Sequence, residues 1–440
     1  METTKSLPIA IIGAGPVGLA AAAHLKVRGQ AFILFEAGST VASNILSWKH
    51  IRVFSPWRYN IDKAARQLLT ETNWQSPDDD GLPTGKELYH QYFKPLAELP
   101  FIEPNIHLGS KVLSIGRKNQ DKMKTWGREE LPYVVQVLHH GEVEQYEVKA
   151  VIDASGTWNS PNSIGSGGVY AVGEVENSTK IFYGIPDILH QHASRYKNKN
   201  VLVVGSGHSS INAILELDKL KERYPDTQIH WVLRKKNISE VYGGQENDAL
   251  EARGALGIKI EQLVNEDRIN VYTPFQIQQI RNEESQLTII GFQNENKFAL
   301  SGVDEIISNT GSRPDFSFLR EIRLSIDASL ESVAEIAELI DPNIHSCGTV
   351  RPHGENELRH PDKDFYIVGS KSYGRAPTFL MATGYEQVRS IAAAIDGDIE
   401  AARNVELDLP ETGVCSSDAG TACCGTESSS QKKVKDTACC

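Results

Sequence analysis

The sequence predicts an α/β fold of two Rossmann-like units, and three observations lead there. A strand–glycine-turn–helix–strand pattern opens at Ile9. The same pattern restarts at Val201, about 190 residues later, which is a duplication of architecture and not a short solenoid repeat. The chain has 440 residues, 40% of them hydrophobic and 23% charged, enough for two or three domains with substantial cores.

Each element follows from local pattern. "IAIIGAG" (Ile9 to Gly15) is an apolar run breaking into glycines, and "PVGLAAAAHLKVRG" is a helix of small and apolar residues stopped by Gly29. "AFILFEAG" is a buried-type strand ending in Glu36. The polar, aromatic-rich stretch "SWKHIRVFSPWRYNID" follows. "KVLSIGR", "YVVQVLHH" and "EQYEVKAVIDASG" then read as three strands of an antiparallel meander. "VLVVGSGHSSINAILELDKLKERYPDTQIHWVLRKK" is the second strand–turn–helix–strand. "LTIIGF", "VDEIISNTG" and "DFYIVGS" read as strands, and "TFLMATGYEQVRSIAAAI" as a long helix entered at Pro377. Residues 411–440 have few hydrophobics, with Ser, Thr, Gly and Cys between scattered charges, and are expected to be disordered.

Several classes are disfavoured by composition. The net charge of −12, without a basic stripe, argues against nucleic-acid binding. No apolar run reaches the roughly 20 residues of a membrane span. The N-terminus lacks signal-peptide architecture, which predicts a cytoplasmic protein. Of six cysteines only Cys347 precedes the tail, unlike a secreted disulfide scaffold.

The two glycine turns carry the chemistry. In "GAGPVG", Gly13, Gly15 and Gly18 form GxGxxG, with Pro16 opening the helix. The first glycine permits the turn and the second lets backbone approach a pyrophosphate at the helix N-terminus. The third allows close helix–strand packing. Glu36 lies 18 residues past Gly18, near the spacing at which an acid bonds ribose hydroxyls. In "GSGHSS", Gly205 and Gly207 recur with Ser210 in third place, and Ser206, His208 and Ser209 complete the turn. Arg234, Lys235 and Lys236 stand where an acid would mark NAD, and cations there suit the 2′-phosphate of NADP. Two such units hold two dinucleotides, and a flavin with a nicotinamide is the pair between which hydride can pass. FAD and NADPH are therefore the expected cofactors.

The sequence resembles flavoproteins in which an NADPH domain is inserted into an FAD domain: thioredoxin reductases, flavin-containing and Baeyer–Villiger monooxygenases, and N-hydroxylases. "DASGT" (Asp153 to Thr157) and "SNTGSRPD" (Ser308 to Asp315) resemble their interdomain segments, and "DFYIVGS" their late FAD-contacting strand, with Gly369-Ser370 for the usual Gly-Asp. The resemblance implies an FAD domain over 1–165 and 305–400 and an NADPH domain over 166–304. It also implies FAD contacts from Val112, Ser155, Gly156, Gly369 and Thr378, and NADPH contacts from Thr310 and Gly311. The folded body has no CxxC-type pair, unlike the disulfide reductases. The FxGxxxH motif of the flavin monooxygenases is half present: Phe182 and Gly184 match, and Ile188 occupies the histidine position, with His190 and His192 out of register. "FSPWRYNID", "YGIPD", "SNTGSRPDFSFL" and "LPETGVCS" are most similar to the flavin monooxygenase-like proteins of arsenic-resistance operons.

That similarity implies an NADPH-dependent FAD monooxygenase or oxidase. It would use O2, through a flavin C4a-hydroperoxide, on a soft electron-rich substrate such as trivalent arsenic or antimony. No protein nucleophile is then needed. Trp57, Arg58 and Thr378 are the catalytic candidates; Trp48 and Tyr59 join Trp57 and Arg58 as candidates for lining the pocket. Thr378 falls in the first turn of the helix expected from Pro377, whose N-terminus would stabilise reduced flavin. His208 is expected to meet the nicotinamide dinucleotide through its backbone. Thiolates favour soft ions, so Cys415, Cys423, Cys424, Cys439 and Cys440 are candidate metalloid ligands that capture substrate, relay electrons or do neither. Two rival readings stay open, a disulfide or metal-ion reductase working through these thiols and a non-enzymatic metalloid-binding flavoprotein. A homodimer also stays open.

Overall fold

The computed structural model describes residues 7–248, 250–344 and 350–407. Cys347 and the whole stretch 411–440, with its expected disorder and candidate metalloid ligands, lie outside the described residues.

Two five-stranded parallel sheets form the frame. The first runs in the order β16-β7-β1-β2-β3: Phe365–Ile367, Ala150–Asp153, Ile9–Ile12, Phe32–Phe35 and Ile106–His107. The second runs β11-β10-β9-β15-β8: Asn270–Tyr272, Gln228–Val232, Asn200–Val204, Glu305–Ser308 and Ile181–Tyr183. Both central strands are apolar because helices cover both faces of a parallel sheet; Ile9–Ile12 and Val201–Val204 are buried throughout. Two antiparallel sheets complete the frame. One holds β4 (Ser110–Arg117), β5 (Tyr133–His139) and β6 (Glu142–Val148), the other β12 (Phe275–Glu283), β13 (Gln286–Gln293) and β14 (Asn296–Val303). The α/β fold with two Rossmann-like units thus holds, with antiparallel insertions.

Three expectations need correction. "EQYEVKAVIDASG" is two strands: β6 ends at Val148, and β7 turns into the first parallel sheet beside β1. Its second half is wholly buried, so it belongs to the central layer and not to a half-exposed meander. β15 begins at Glu305, the residue at which the FAD domain was expected to resume, yet it pairs with β9 and β8 in the second sheet. The long helix spans Met381–Ile395 and does not start at Pro377. Pro377 and Thr378 form a turn, and Leu380 is extended (φ −117°, ψ 150°) before the helix. Proline's fixed φ serves a turn as well as a first helical turn.

The helix Pro16–Val27 is buried from Val17 to Leu25, wedged between the first sheet and the helix Met381–Ile395. Its run of alanines is what that narrow slot admits. His24 and Asp62 meet there at 2.9 Å. The chain passes between the sheets twice, and the two passages are laced together. Ser312 Oγ donates to Thr157 Oγ1 (2.9 Å), Arg313 N to Ser160 O (2.9 Å) and Asn162 N to Gly311 O (2.9 Å). Among the described residues, no helix is long and apolar enough to cross a membrane.

Candidate active site: two adjoining dinucleotide cavities

A cavity of about 1030 Å³ opens at the carboxyl ends of the first sheet's strands. Gly13, Gly15 and Pro16 follow β1, Glu36 follows β2, Ser155 and Gly156 follow β7, and Gly369 follows β16. The sheet order reverses at β1, and the crevice at such a reversal is where open α/β sheets bind ligands. Gly13 has φ +96°, where a side chain strains the backbone, and a Cβ on it would lie 2.9 Å from Ala154 O. A Cβ on Gly15 would meet nothing within 4 Å, so its backbone faces the open cavity, as a pyrophosphate contact requires. Gly18 does not line the cavity. Its missing Cβ lets the helix press on the turn, since that atom would stand 1.9 Å from Gly13 O.

Glu36 is held ready. Its Oε2 accepts from Ala14 N (2.7 Å), and its Oε1 accepts from Gly38 N (2.7 Å) and Ser43 Oγ (3.2 Å). Val112 lines the cavity from β4, beside a bulge between Val112 and Ser114. Beneath the floor, Lys371 Nζ donates to Asp153 Oδ2 (2.7 Å) and Ser155 Oγ (3.1 Å), and both charged side chains are fully buried. The other oxygen of Asp153 accepts from Ser155 N at 3.1 Å. The rest of the wall mixes aromatic and apolar side chains, Trp48, Phe54, Trp158, Phe379, Leu380 and Met381, with polar and charged ones, among them Arg52, Lys111, Asn212 and Asp315.

A second cavity, about 770 Å³, opens at the carboxyl ends of the second sheet. Gly205, Ser206, Gly207 and Ser209 follow β9, Arg234 and Lys235 follow β10, and Thr310 and Gly311 follow β15. A Cβ on Gly205 would sit 2.3 Å from Asn309 O, while Gly207 faces open space. Ser210 replaces the third glycine and is buried, its Oγ donating to Gly207 O at 2.6 Å. The two cavities adjoin, sharing Thr157, Trp158, Ile185, Ser209 and Ser370.

Some expected site residues are placed elsewhere. Trp57 is 5% exposed and packs in the hydrophobic core, and Arg58 is on the surface paired with Asp80. Neither they nor Tyr59 line a cavity. The short helix Trp57–Asn60 is tied to the 78–81 loop through Trp57 N to Gly81 O and Arg58 N to Asp79 O. Val53, Phe54 and Ser55, just before it, are the segment that meets the cavity. Trp48 does line it. Thr378 lies in the turn between Pro377, on the smaller cavity, and Phe379, on the larger. Its Oγ1 is buried without a partner among the described residues. His208 lines the larger cavity and not the second, its ring 5.4 Å from Phe54. Burial first, and Arg253 second, hold its imidazole below the ordinary value, so it is neutral at pH 7. Ile188, in place of the histidine of FxGxxxH, is a fully buried core residue.

Sequence reading missed Trp158, Ile185 and Ser370, which stand between the cavities. Each was findable: Trp158 directly follows "DASGT", Ile185 lies within "YGIPD", and Ser370 stands in place of the aspartate of the usual Gly-Asp. All six cysteines lie outside the described residues, and among the described residues no group of three or more His, Cys, Asp or Glu is placed to hold a metal ion.

On the helix His208–Arg223, Glu216 has its carboxyl pushed up to about 7, mainly by burial and then by Asp187. The folded value exceeds the unfolded one. Below about pH 4.5 both states are protonated, so stability is highest there and falls as pH rises toward 7. Glu216→Gln is expected to raise stability at pH 8 by on the order of 2 kcal/mol, a figure discounted for partial exposure, and to gain nothing at pH 4. Urea unfolding of both proteins at the two pH values checks it.

A glycine-turned dinucleotide cradle joined wall to wall with a second one defines a redox protein that brings two cofactors together. The sequence model of the pyridine nucleotide-disulphide oxidoreductases matches residues 10–338, and the chain belongs to that family. It is a flavin-dependent pyridine nucleotide oxidoreductase, in a family whose members typically bind FAD and NAD(P)H. A curated relative, the uncharacterized oxidoreductase CzcO of Bacillus velezensis, is 28% identical over 229 residues, 49% of this chain and 52% of that one. The match thus spans about half the length of that relative. Two solved structures share the fold. Bacillithiol disulfide reductase Bdr (YpdA) of Bacillus cereus has a TM-score of 0.67 at 18% identity, over 89% of this chain and 99% of that one. Ornithine N-hydroxylase KtzI of Kutzneria sp. 744, solved with reduced FAD, NADP+ and L-ornithine, has 0.57 at 13%, over 91% and 100%.

Proposed function

We propose that the protein is an NADPH-dependent FAD monooxygenase acting on a soft, electron-rich centre, trivalent arsenic or antimony foremost. The observation that carries this reading is the set of aromatic side chains, Trp48, Phe54, Trp158 and Phe379, on the wall of the larger cavity, which adjoins the nucleotide cavity. An oxygenase needs a water-poor pocket beside its flavin, which such side chains help to supply.

The residues fit the two groups. Gly15, facing open space at the start of a twelve-residue helix, gives the FAD pyrophosphate backbone N–H groups and the helix dipole, and Glu36 takes the ribose. Arg234 and Lys235 supply cations for the 2′-phosphate of NADPH. Bound FAD supplies the chemistry of accepting hydride from NADPH and delivering the electrons to O2. Trp48, Phe54, Trp158 and Phe379 exclude water from the reacting centre. The orphaned Thr378 Oγ1 is a free hydrogen-bonding group at that boundary. The balanced reaction takes one O2, one NADPH and one proton, adds one oxygen atom to the substrate lone pair and releases water and NADP+. The soft substrate class is supported by the five thiols after residue 414, a ligand chemistry that favours such ions.

The test measures NADPH-dependent O2 uptake by the flavin-loaded full chain with arsenite, antimonite, a dialkyl sulfide or an amine. Low-molecular-weight disulfides are assayed in parallel. Uptake stimulated by arsenite, with stoichiometric arsenate formation, is the expected result. It should persist when Cys415, Cys423, Cys424, Cys439 and Cys440 are all replaced by serine. Disulfide reduction that stops in that variant, without O2 uptake in either protein, would overturn the reading in favour of a reductase.

A further inference from the structure

The smaller cavity has an arginine that the second sheet does not supply. Arg234 follows β10 and lines the cavity with one hydrogen bond of its own, to Ser166 O at 3.3 Å. Arg375 lines the same cavity from the other unit, on the segment that follows β16. That segment is fixed on both sides. Lys371, four residues earlier, is locked to Asp153, and Arg375 N donates to Leu330 O at 2.8 Å. Gly374 has φ +59°, and a Cβ there would fall 2.2 Å from Leu330 O, so the backbone just before Arg375 admits only glycine. The guanidinium itself is exposed and makes no hydrogen bond or ion pair among the described residues. Arg313 and Arg359, also on the flavin side, are instead paired with Glu331 and Glu355.

We propose that Arg375 is a nucleotide-binding residue lent by the flavin-side unit, and that it grips the pyrophosphate of NADP(H). This rests on the reading of the smaller cavity as the NADPH site. Arg234 and Lys235 follow β10, where the adenosine ribose lies in such folds, and they account for the 2′-phosphate. Arg375 shares its segment with Ser370, which borders both cavities, and so stands toward the flavin. For hydride to pass, the nicotinamide half of the dinucleotide must occupy that end, and the anion nearest to it is the pyrophosphate. Across the cavity, the open backbone at Gly207 and the N-terminus of the helix His208–Arg223 supply donors to the same group. A planar guanidinium matches phosphate oxygens two at a time, which an ammonium does not. One dinucleotide thereby bridges both units, contacting backbone from one and a cation from the other.

Two ligands separate the roles. NADP+ carries both the 2′-phosphate and the pyrophosphate; adenosine 2′-monophosphate carries the first without the second. Isothermal titration of each into the FAD-loaded full chain is the experiment. Arg375→Ala is expected to weaken NADP+ about tenfold or more and to leave adenosine 2′-monophosphate within about twofold. Arg375→Lys falls between. Arg234→Ala weakens both ligands. In turnover, Arg375→Ala raises KM for NADPH and NADH by the same factor, so the preference between them is kept. Unchanged FAD content shows that the variant is folded. NADP+ affinity equal to the parent's, or equal losses for the two ligands, overturns the assignment. A parent protein that binds neither ligand ends the NADPH reading itself, a different and distinguishable failure.

Discussion

Gly18→Val is expected to yield an insoluble or colourless protein, destabilised by about 3 kcal/mol or more. A single Cβ at this position would lie 1.9 Å from Gly13 O, and the obstacle is backbone, which cannot rotate away. Gly13 cannot retreat, because the place of its own Cβ lies 2.9 Å from Ala154 O. Nor can the helix Pro16–Val27 lift off, for it is buried from Val17 to Leu25 and backed by the helix Met381–Ile395. Gly15→Ala is the informative companion. Its Cβ meets no protein atom within 4 Å, so this variant should fold with near-parental stability yet bind FAD at least about tenfold more weakly, because the methyl stands where the pyrophosphate comes closest. Thermal unfolding and flavin absorbance of the two variants separate packing from binding. A yellow Gly18→Val protein of parental stability would contradict this account of the turn.

Lys371→Met should cost about 3–5 kcal/mol, because it strands a carboxylate in the interior. Lys371 and Asp153 have no exposed side-chain surface and meet at 2.7 Å. Lys371 Nζ also lies 4.4 Å from the Phe318 ring centroid, so the cation is enclosed on more than one side. Without it, Asp153 keeps only the Ser155 N–H, and Ser155 is part of the wall of the larger cavity, the proposed flavin site. Loss of FAD should therefore accompany the loss of stability. The double variant Asp153→Asn/Lys371→Met removes both charges and should recover at least half of the loss. A double-mutant cycle by urea unfolding, read together with FAD content, measures the coupling. Additive costs would mean that the pair acts as two independent groups.

The parts of the site that chain order alone builds were legible in the sequence. A strand that breaks into Gly13, Gly15 and Gly18 and then an acid at Glu36 is a local pattern, and the fold places it locally. The same holds for Gly205, Gly207 and the cations at Arg234 and Lys235. What could not be read depends on how distant segments pack. Trp57 looked like a lining residue because aromatics in loops line pockets as often as they plug cores; the 78–81 loop holds its short helix, and the side chain lies in the core. His208 sits inside the second glycine turn but faces the first cavity, because its ring meets Phe54 of the other unit. Arg375 lines the second cavity although it follows the first sheet. Pro377 marked a boundary correctly and its nature wrongly, since the same φ that opens a helix also sits in a turn four residues before this one.

The laced passages between the sheets set the mechanics of the whole molecule. With Thr157, Ser160 and Asn162 bonded to Ser312, Arg313 and Gly311, the outgoing and returning chains behave as one strap and not as two loose tethers. Thr157, fastened to Ser312 in that strap, also borders both chambers, so the two chambers meet where the outgoing and returning chains are tied to each other.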